Sequence, residues 1–133
     1  MEQTLSIVKP DAVKRNLEGE IKEIFKNNGF QILKEKKIQI ERSEAEKFYK
    51  IHETKPFYND LCEYLSSGPI IVMVLEKDNA VLENRELMGA TNPIDAKEGT
   101  IRKKYGISID KNSVHGSDSF DNAKNEIDFF FND

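Results

Sequence analysis

Six consecutive apolar residues, Ile70-Ile71-Val72-Met73-Val74-Leu75, limit what this chain can fold into more than any other stretch. Successive side chains of a strand point to opposite faces, so an uninterrupted apolar run reads as a central strand buried on both sides. Gly68-Pro69 close whatever precedes it. The run is far below the roughly 18 residues that a membrane span needs.

The remaining elements fall around that strand. Thr4 to Val8 alternates as a strand, with Leu5 and Ile7 on one face, and Pro10, lacking an N–H, ends it near Lys9. Leu17, Ile21, Ile24 and Phe25 recur at helical spacing and predict a helix over 16–28, which Gly29 terminates. Phe30, Ile32, Ile38 and Ile40 share a parity and predict a second strand over 30–40 with all four on one face. Ser43 with Glu46 reads as a capping box for a helix that stops before Pro56, and Leu61, Cys62 and Leu65 mark a short helix after it. Asp78 or Asn79 caps a helix running to about Met88, and the long segment 89–106 is a connection of the kind that usually carries function. A short strand around Ser113 to His115 precedes a last helix, capped by Ser117-Asp118-Ser119 and bearing Phe120, Ala123, Ile127 and Phe130. This order is the α/β (α+β) skeleton of the ferredoxin-like βαββαβ unit, a four-stranded antiparallel sheet with helices on one face.

Nothing in the composition divides residues 1–133, so a single domain is expected. Charged residues make up 33% of the chain, yet eight Phe and four Tyr supply a core, which excludes a disordered tail. A net charge of −4 and a pI near 5.3 argue against a nucleic-acid or anionic-membrane binder. The single cysteine, Cys62, cannot form an intrachain disulfide, and Met1 to Ser6 lacks the features of a secretory signal, so a cytoplasmic location is expected.

His115 is one of two histidines and lies in Asn112-Ser113-Val114-His115-Gly116-Ser117-Asp118-Ser119, directly before the last helix. Imidazole can act there as nucleophile, base or hydrogen-bond donor, and Gly116 would let a ligand approach the backbone; the plainer alternative is a histidine that packs a loop. Neither glycine-rich nucleotide loop, G-x-x-x-x-G-K-[ST] nor G-x-G-x-x-G, is present, which argues against a P-loop ATPase. Cations and hydroxyls are instead dispersed, as Lys9, Arg85, Thr91 and Arg102. Phe57, beside Pro56, is core or an exposed stacking platform, and core is the safer reading from its residue type alone.

Six blocks together resemble the nucleoside diphosphate kinases over essentially the whole chain. They are Val8-Lys9-Pro10-Asp11, Pro56-Phe57, Ser67-Gly68-Pro69, Thr91-Asn92-Pro93, Gly99-Thr100-Ile101-Arg102 and the Asn112-to-Ser119 block. The resemblance implies a ping-pong enzyme that moves the γ-phosphate of a nucleoside triphosphate, mainly ATP, to a diphosphate such as GDP, maintaining NTP and dNTP pools. It implies a phosphohistidine at His115, with Glu126 orienting the ring. Lys9, Tyr49, Arg85, Thr91 and Arg102 match the residues around the transferred phosphate, Phe57 the aromatic under the base, and Lys9 with Asn112 the contacts to sugar hydroxyls. Ser117 matches a hydroxyl near the histidine, and Asp118 lies in the same motif. Mg²⁺ is expected on the nucleotide phosphates rather than on a protein ligand.

Members of the family are tetramers or hexamers built on a dimer, and the chain stops at Asp133, without the longer tail of many members, which leans toward a homotetramer. Ala90 replaces an acidic residue common before Thr-Asn-Pro and touches no assigned role. The alternative is a non-catalytic nucleotide-binding regulatory module of the same fold, disfavoured because every matching site residue is present. A single-stranded nucleic-acid binder is disfavoured by the acidic pI and by the lack of an aromatic strand motif.

Overall fold

A computed structural model describes residues 1–109 and 111–131. Asp110, Asn132 and Asp133 lie outside the described residues, and so does the tail expectation attached to Asp133.

Four strands, β1 (Glu2–Val8), β2 (Gln31–Ile38), β3 (Ile70–Lys77) and β4 (Val114–Gly116), form one sheet in the order β2-β3-β1-β4. Every neighbouring pair is antiparallel. The ferredoxin-like arrangement expected from the order of elements is the one observed. The apolar run occupies β3, in the interior of the sheet as its pattern requires.

The helices are α1 (Pro10–Lys14), α2 (Glu18–Asn27), α3 (Arg42–Phe48), α4 (Tyr58–Leu65), α5 (Ala80–Met88), α6 (Ile101–Tyr105) and α7 (Phe120–Phe131). They cover both faces of the sheet, which corrects the expectation of helices on one face. Ile71, Met73 and Leu75 of β3 pack with Ile21 and Phe25 of α2, Met88 of α5 and Ile101 of α6. Ile70 and Val72 point the other way and pack with Ala45 of α3, Cys62 and Leu65 of α4 and Phe130 of α7. A one-sided cover would leave Ile70 and Val72 in water, so the pattern of β3 itself demands the second layer.

Strand β2 departs from its expected single face. Ile32 pairs with Leu75 and Lys34 with Val74, so Leu33 is an extra residue in the ladder. A bulge of this kind reverses the side-chain parity beyond it. Phe30 and Ile32 therefore join the first core, whereas Ile38 and Ile40 join the second.

The stretch expected as one helix over 16–28 is preceded by a separate short helix. Pro10, read as a strand terminator, also occupies the first position of α1, where its missing N–H costs nothing. Asn16, in the left-handed region at φ 59, separates α1 from α2. The capping box sits at Glu41 and Glu44, not at Ser43 and Glu46. Glu44 accepts from the Glu41 N–H at 3.2 Å, and Glu46 instead pairs with Arg42 at 3.3 Å. The connection 89–106 contains a single 3-10 turn, Pro93–Asp95, and α6, whose first turn is capped by Thr100 accepting from the Lys103 N–H at 3.3 Å.

Phe25 is fully buried between α2 and β3, and Leu33 is 44% exposed on the bulge. Phe25→Ala is expected to destabilise the fold by about 3–5 kcal/mol through transfer and cavity costs, and Leu33→Ala by under about 0.5 kcal/mol; urea unfolding midpoints measure both.

Candidate active site

The site is assembled on β4, the shortest strand. Pairing with β1 sets His115 opposite Ile7, and residues directly opposite in an antiparallel pair share a face. His115 therefore looks toward the layer of α3 and α7, while Val114 and Gly116 look toward α5.

Gly116 is required by crowding on that second face. A Cβ there would stand 2.4 Å from Asn84 Nδ2 and 2.7 Å from Met88 Cε, both on α5. The close approach read into this glycine is thus made by a helix of the fold, and not by a ligand.

The His115 ring is anchored at one nitrogen. Nε2 lies 2.9 Å from Glu126 Oε1, and Ser117 Oγ donates to the same oxygen at 2.8 Å. A carboxylate only accepts, so the ring proton belongs on Nε2 and the lone pair remains on Nδ1. Glu126 reaches the ring from the second turn of α7. Ser117 is fully buried and its Oγ also accepts from the Leu5 N–H at 3.3 Å, which ties the carboxylate's second donor to β1. Phe48 of α3 meets the imidazole edge to face, with ring centroids 5.3 Å apart. The His115 side chain is 20% exposed, accessible without being solvated all round.

Three further candidates form a chain of hydrogen bonds. Lys9 Nζ donates to Asn112 Oδ1 at 2.9 Å, and Asn112 Nδ2 donates to the Thr91 carbonyl at 3.0 Å. Lys9 follows β1, Asn112 precedes β4, and Thr91 lies in the long connection, so three distant segments meet. Lys9 and Asn112 are buried, and Thr91 is exposed.

Arg102 lies beneath the same strand. Its Nη2 donates to the Val114 carbonyl at 2.9 Å and its Nη1 to the Gly89 carbonyl at 3.1 Å, while the buried Nε has no partner among the described residues. Burial, and then the charge of Arg85, lower its pKa to about 10. Arg102 is therefore still a cation at neutral pH, and a desolvated one. Arg85 itself is exposed on α5. The Tyr49 hydroxyl is pushed up, first by burial and then by the negative charge of Glu126, so it remains a donor at any physiological pH.

Phe57 joins through aromatic contacts. His52 stands between Tyr49, at 6.2 Å, and Phe57, at 6.1 Å between centroids, and Phe57 is 42% exposed. The stacking-platform alternative thus fits its placement better than core. The His52 imidazole is held below its ordinary range by burial and by the neighbouring Lys55 charge.

Two placements differ from the expected cap of the last helix. Ser119 performs it, accepting from the Asn122 N–H at 3.1 Å, and Ser117 is occupied with Glu126 and Leu5. Asp118 accepts from the Asn122 side chain at 2.6 Å and is exposed, and its charge bears on His52. Sequence reasoning gave no role to Phe48 or His52. Each lies at helical spacing ahead of Pro56, a pattern that explains burial equally well.

The Glu126 oxygen beside the ring already accepts two hydrogen bonds. Among the described residues no group of three or more His, Cys, Asp or Glu is gathered as for a metal.

A family model described as nucleoside diphosphate kinase matches residues 2–133. A nucleoside diphosphate kinase of Campylobacter fetus is 59% identical over 131 residues, covering 98% of this chain and 96% of that protein. One from Nitratiruptor is 57% identical over the same coverage. The crystal structure of the Aquifex aeolicus nucleoside diphosphate kinase superposes with a TM-score of 0.95 at 39% identity, over 98% of this chain and 94% of that one. The apo enzyme from Encephalitozoon cuniculi does so with 0.96 at 38%, over 100% and 90%. The fold, its length and these likenesses agree, and the chain belongs to the nucleoside diphosphate kinase family.

Proposed function

We propose that this nucleoside diphosphate kinase passes phosphate through Nδ1 of His115. The observation that carries the reading is the Nε2–Glu126 contact at 2.9 Å, which leaves the other ring nitrogen with a lone pair. In the first half-reaction Nδ1 attacks the γ-phosphorus of a nucleoside triphosphate, the bond to the β,γ-bridging oxygen breaks, and the diphosphate leaves. In the second, a terminal oxygen of another nucleoside diphosphate attacks the same phosphorus and the P–N bond breaks. A neutral imidazole loses no proton in attacking, and the positive charge that the ring gains is offset by Glu126.

Negative charge grows on the bridging oxygen as it leaves, and fixed donors there lower the barrier. Arg102, Arg85, Lys9, Thr91 and Tyr49 are the residues proposed for this. The desolvated guanidinium of Arg102 is the strongest of them, since a cation with little water around it gains most from a phosphate. Phe57 stacks the base, and stacking accepts every base because each has a π-face. Lys9 and Asn112, already hydrogen-bonded to each other, bind the sugar hydroxyls. Ser117 steadies Glu126, and Asp118 acts at the rim. Mg²⁺ carried on the phosphates supplies charge neutralisation when bound.

The whole of residues 1–133 is read as one catalytic domain, cytoplasmic in location, and as the unit of a homotetramer or homohexamer built on a dimer. Ile94, Ile107 and Ile109, each more than half exposed on or near the long connection, support burial against another copy. Light scattering is expected to give four or six copies of the 15.3 kDa chain.

Incubation with γ-labelled ATP and no acceptor is expected to yield an acid-labile, base-stable phosphoprotein that discharges onto added GDP. His115→Ala should abolish it, and an unlabelled wild-type chain would defeat the proposal. Glu126→Gln retains an acceptor but removes the charge; kcat is expected to fall by roughly ten- to a hundredfold with little change in the thermal midpoint.

A further inference from the structure

Ser113 separates the Asn112–Lys9 contact from the strand that carries His115, and its backbone lies in the left-handed region at φ 76. A residue with a Cβ pays for that conformation and keeps it only where its surroundings hold it. Ser113 is fully buried and held from several directions. Its carbonyl accepts from the Lys9 N–H at 2.9 Å. Its Oγ donates to Asp11 Oδ2 at 3.1 Å and accepts from Arg15 Nη2 at 3.3 Å.

Asp11 is itself anchored by residues to which the site reading assigns no role. The Tyr64 hydroxyl, from α4, donates to Oδ1, and Arg15 Nη2 pairs with Oδ2 at 3.0 Å. Arg15 Nη2 also reaches the Tyr105 carbonyl, at 2.6 Å, and Arg15 Nε donates to the Asp11 carbonyl at 3.1 Å. The Asp11 side chain is only 4% exposed. Burial and the bond to Asp11 push the Tyr64 hydroxyl up, so it stays a donor. The Asp11 carboxylate thus links α1 and α4, and through Arg15 the end of α6, to Ser113 in front of β4.

We propose that Asp11 is a positioning residue for phosphoryl transfer: with Arg15 and Tyr64 it clamps Ser113 in the left-handed conformation and so sets Asn112 against Lys9. This rests on the reading that Lys9, Asn112 and His115 form the site. The register of His115 is kept separately, by its pairing with Ile7. Loosening Ser113 is therefore felt first at Asn112 and Lys9, where nucleotide binds, and less at the imidazole.

A double-mutant cycle in the full chain tests this, with Asp11→Ala, Asp11→Asn, Ser113→Gly and the combined variants, reading KM and kcat separately. Glycine adopts positive φ without strain and offers Asp11 no hydroxyl, so in its background Asp11 has little left to hold. Asp11→Ala is expected to raise KM roughly tenfold, and to change kcat less than about threefold. Ser113→Gly is expected to raise KM by less than about threefold, and adding Asp11→Ala to it to raise KM by no more than about threefold again. Asp11→Asn, which keeps the shape, enters the same cycle with the same expected coupling if the alanine variant does not fold. Losses that multiply, a fall in kcat with KM unchanged, or no loss on replacing Asp11 overturn the proposal. Labelled phosphate is scored in the same preparations: a wild-type chain labelled elsewhere than His115 sinks the reading of the site, whatever the cycle shows.

Discussion

The three-residue ladder between Val114–Gly116 and β1 is the constraint on which the site depends. It turns His115 toward α7, presses Gly116 against α5, and brings Ser113 within reach of the Lys9 N–H. Ser117, just past the ladder, meets the Leu5 N–H and delivers its hydroxyl to Glu126. So short a strand on a sheet edge has little pairing energy of its own. Its register is reinforced just past the ladder by Ser117, whose hydroxyl accepts from the Leu5 N–H of β1.

Charge is arranged against the trend of the whole molecule. A chain with a net charge of −4 sets Lys9 against Asn112 just before β4 and Arg102 against the Val114 carbonyl, with Arg85 close enough to Arg102 to lower its pKa, which suits the proposed handling of polyanionic nucleotides. The cost falls on Arg102, which gives up water and retains two backbone carbonyls as partners. In the proposed site an incoming phosphate would offset that cost, so binding and charge stabilisation would draw on the same desolvated cation. Phe57 is exposed, which suits the base-stacking role proposed for it.

Much of this was legible in the linear sequence because it was local. The continuous apolar run announced a central strand, and helical spacing placed α2, α4 and α7 to within a few residues. The blocks around His115 and Lys9 announced the chemistry through resemblance, since residue types at fixed offsets are preserved in a string of letters. The misplacements came where a local signal had two meanings. Pro10 ends a strand and starts a helix, Glu41 and Ser43 are both able to cap, and Leu33 looks like any strand residue until its partner strand shows it to be a bulge.

The sequence by itself determined the sheet's central strand, the order of elements and the set of residues available for chemistry, because periodicity and residue type are properties of short segments. Only the tertiary structure decided that helices cover both faces, that Lys9, Thr91 and Asn112 form one chain of hydrogen bonds, and that a single oxygen of Glu126 serves both His115 and Ser117. Those outcomes depend on contacts between segments tens of residues apart. The side-chain directions that make such contacts are set by register and packing, which no local pattern encodes.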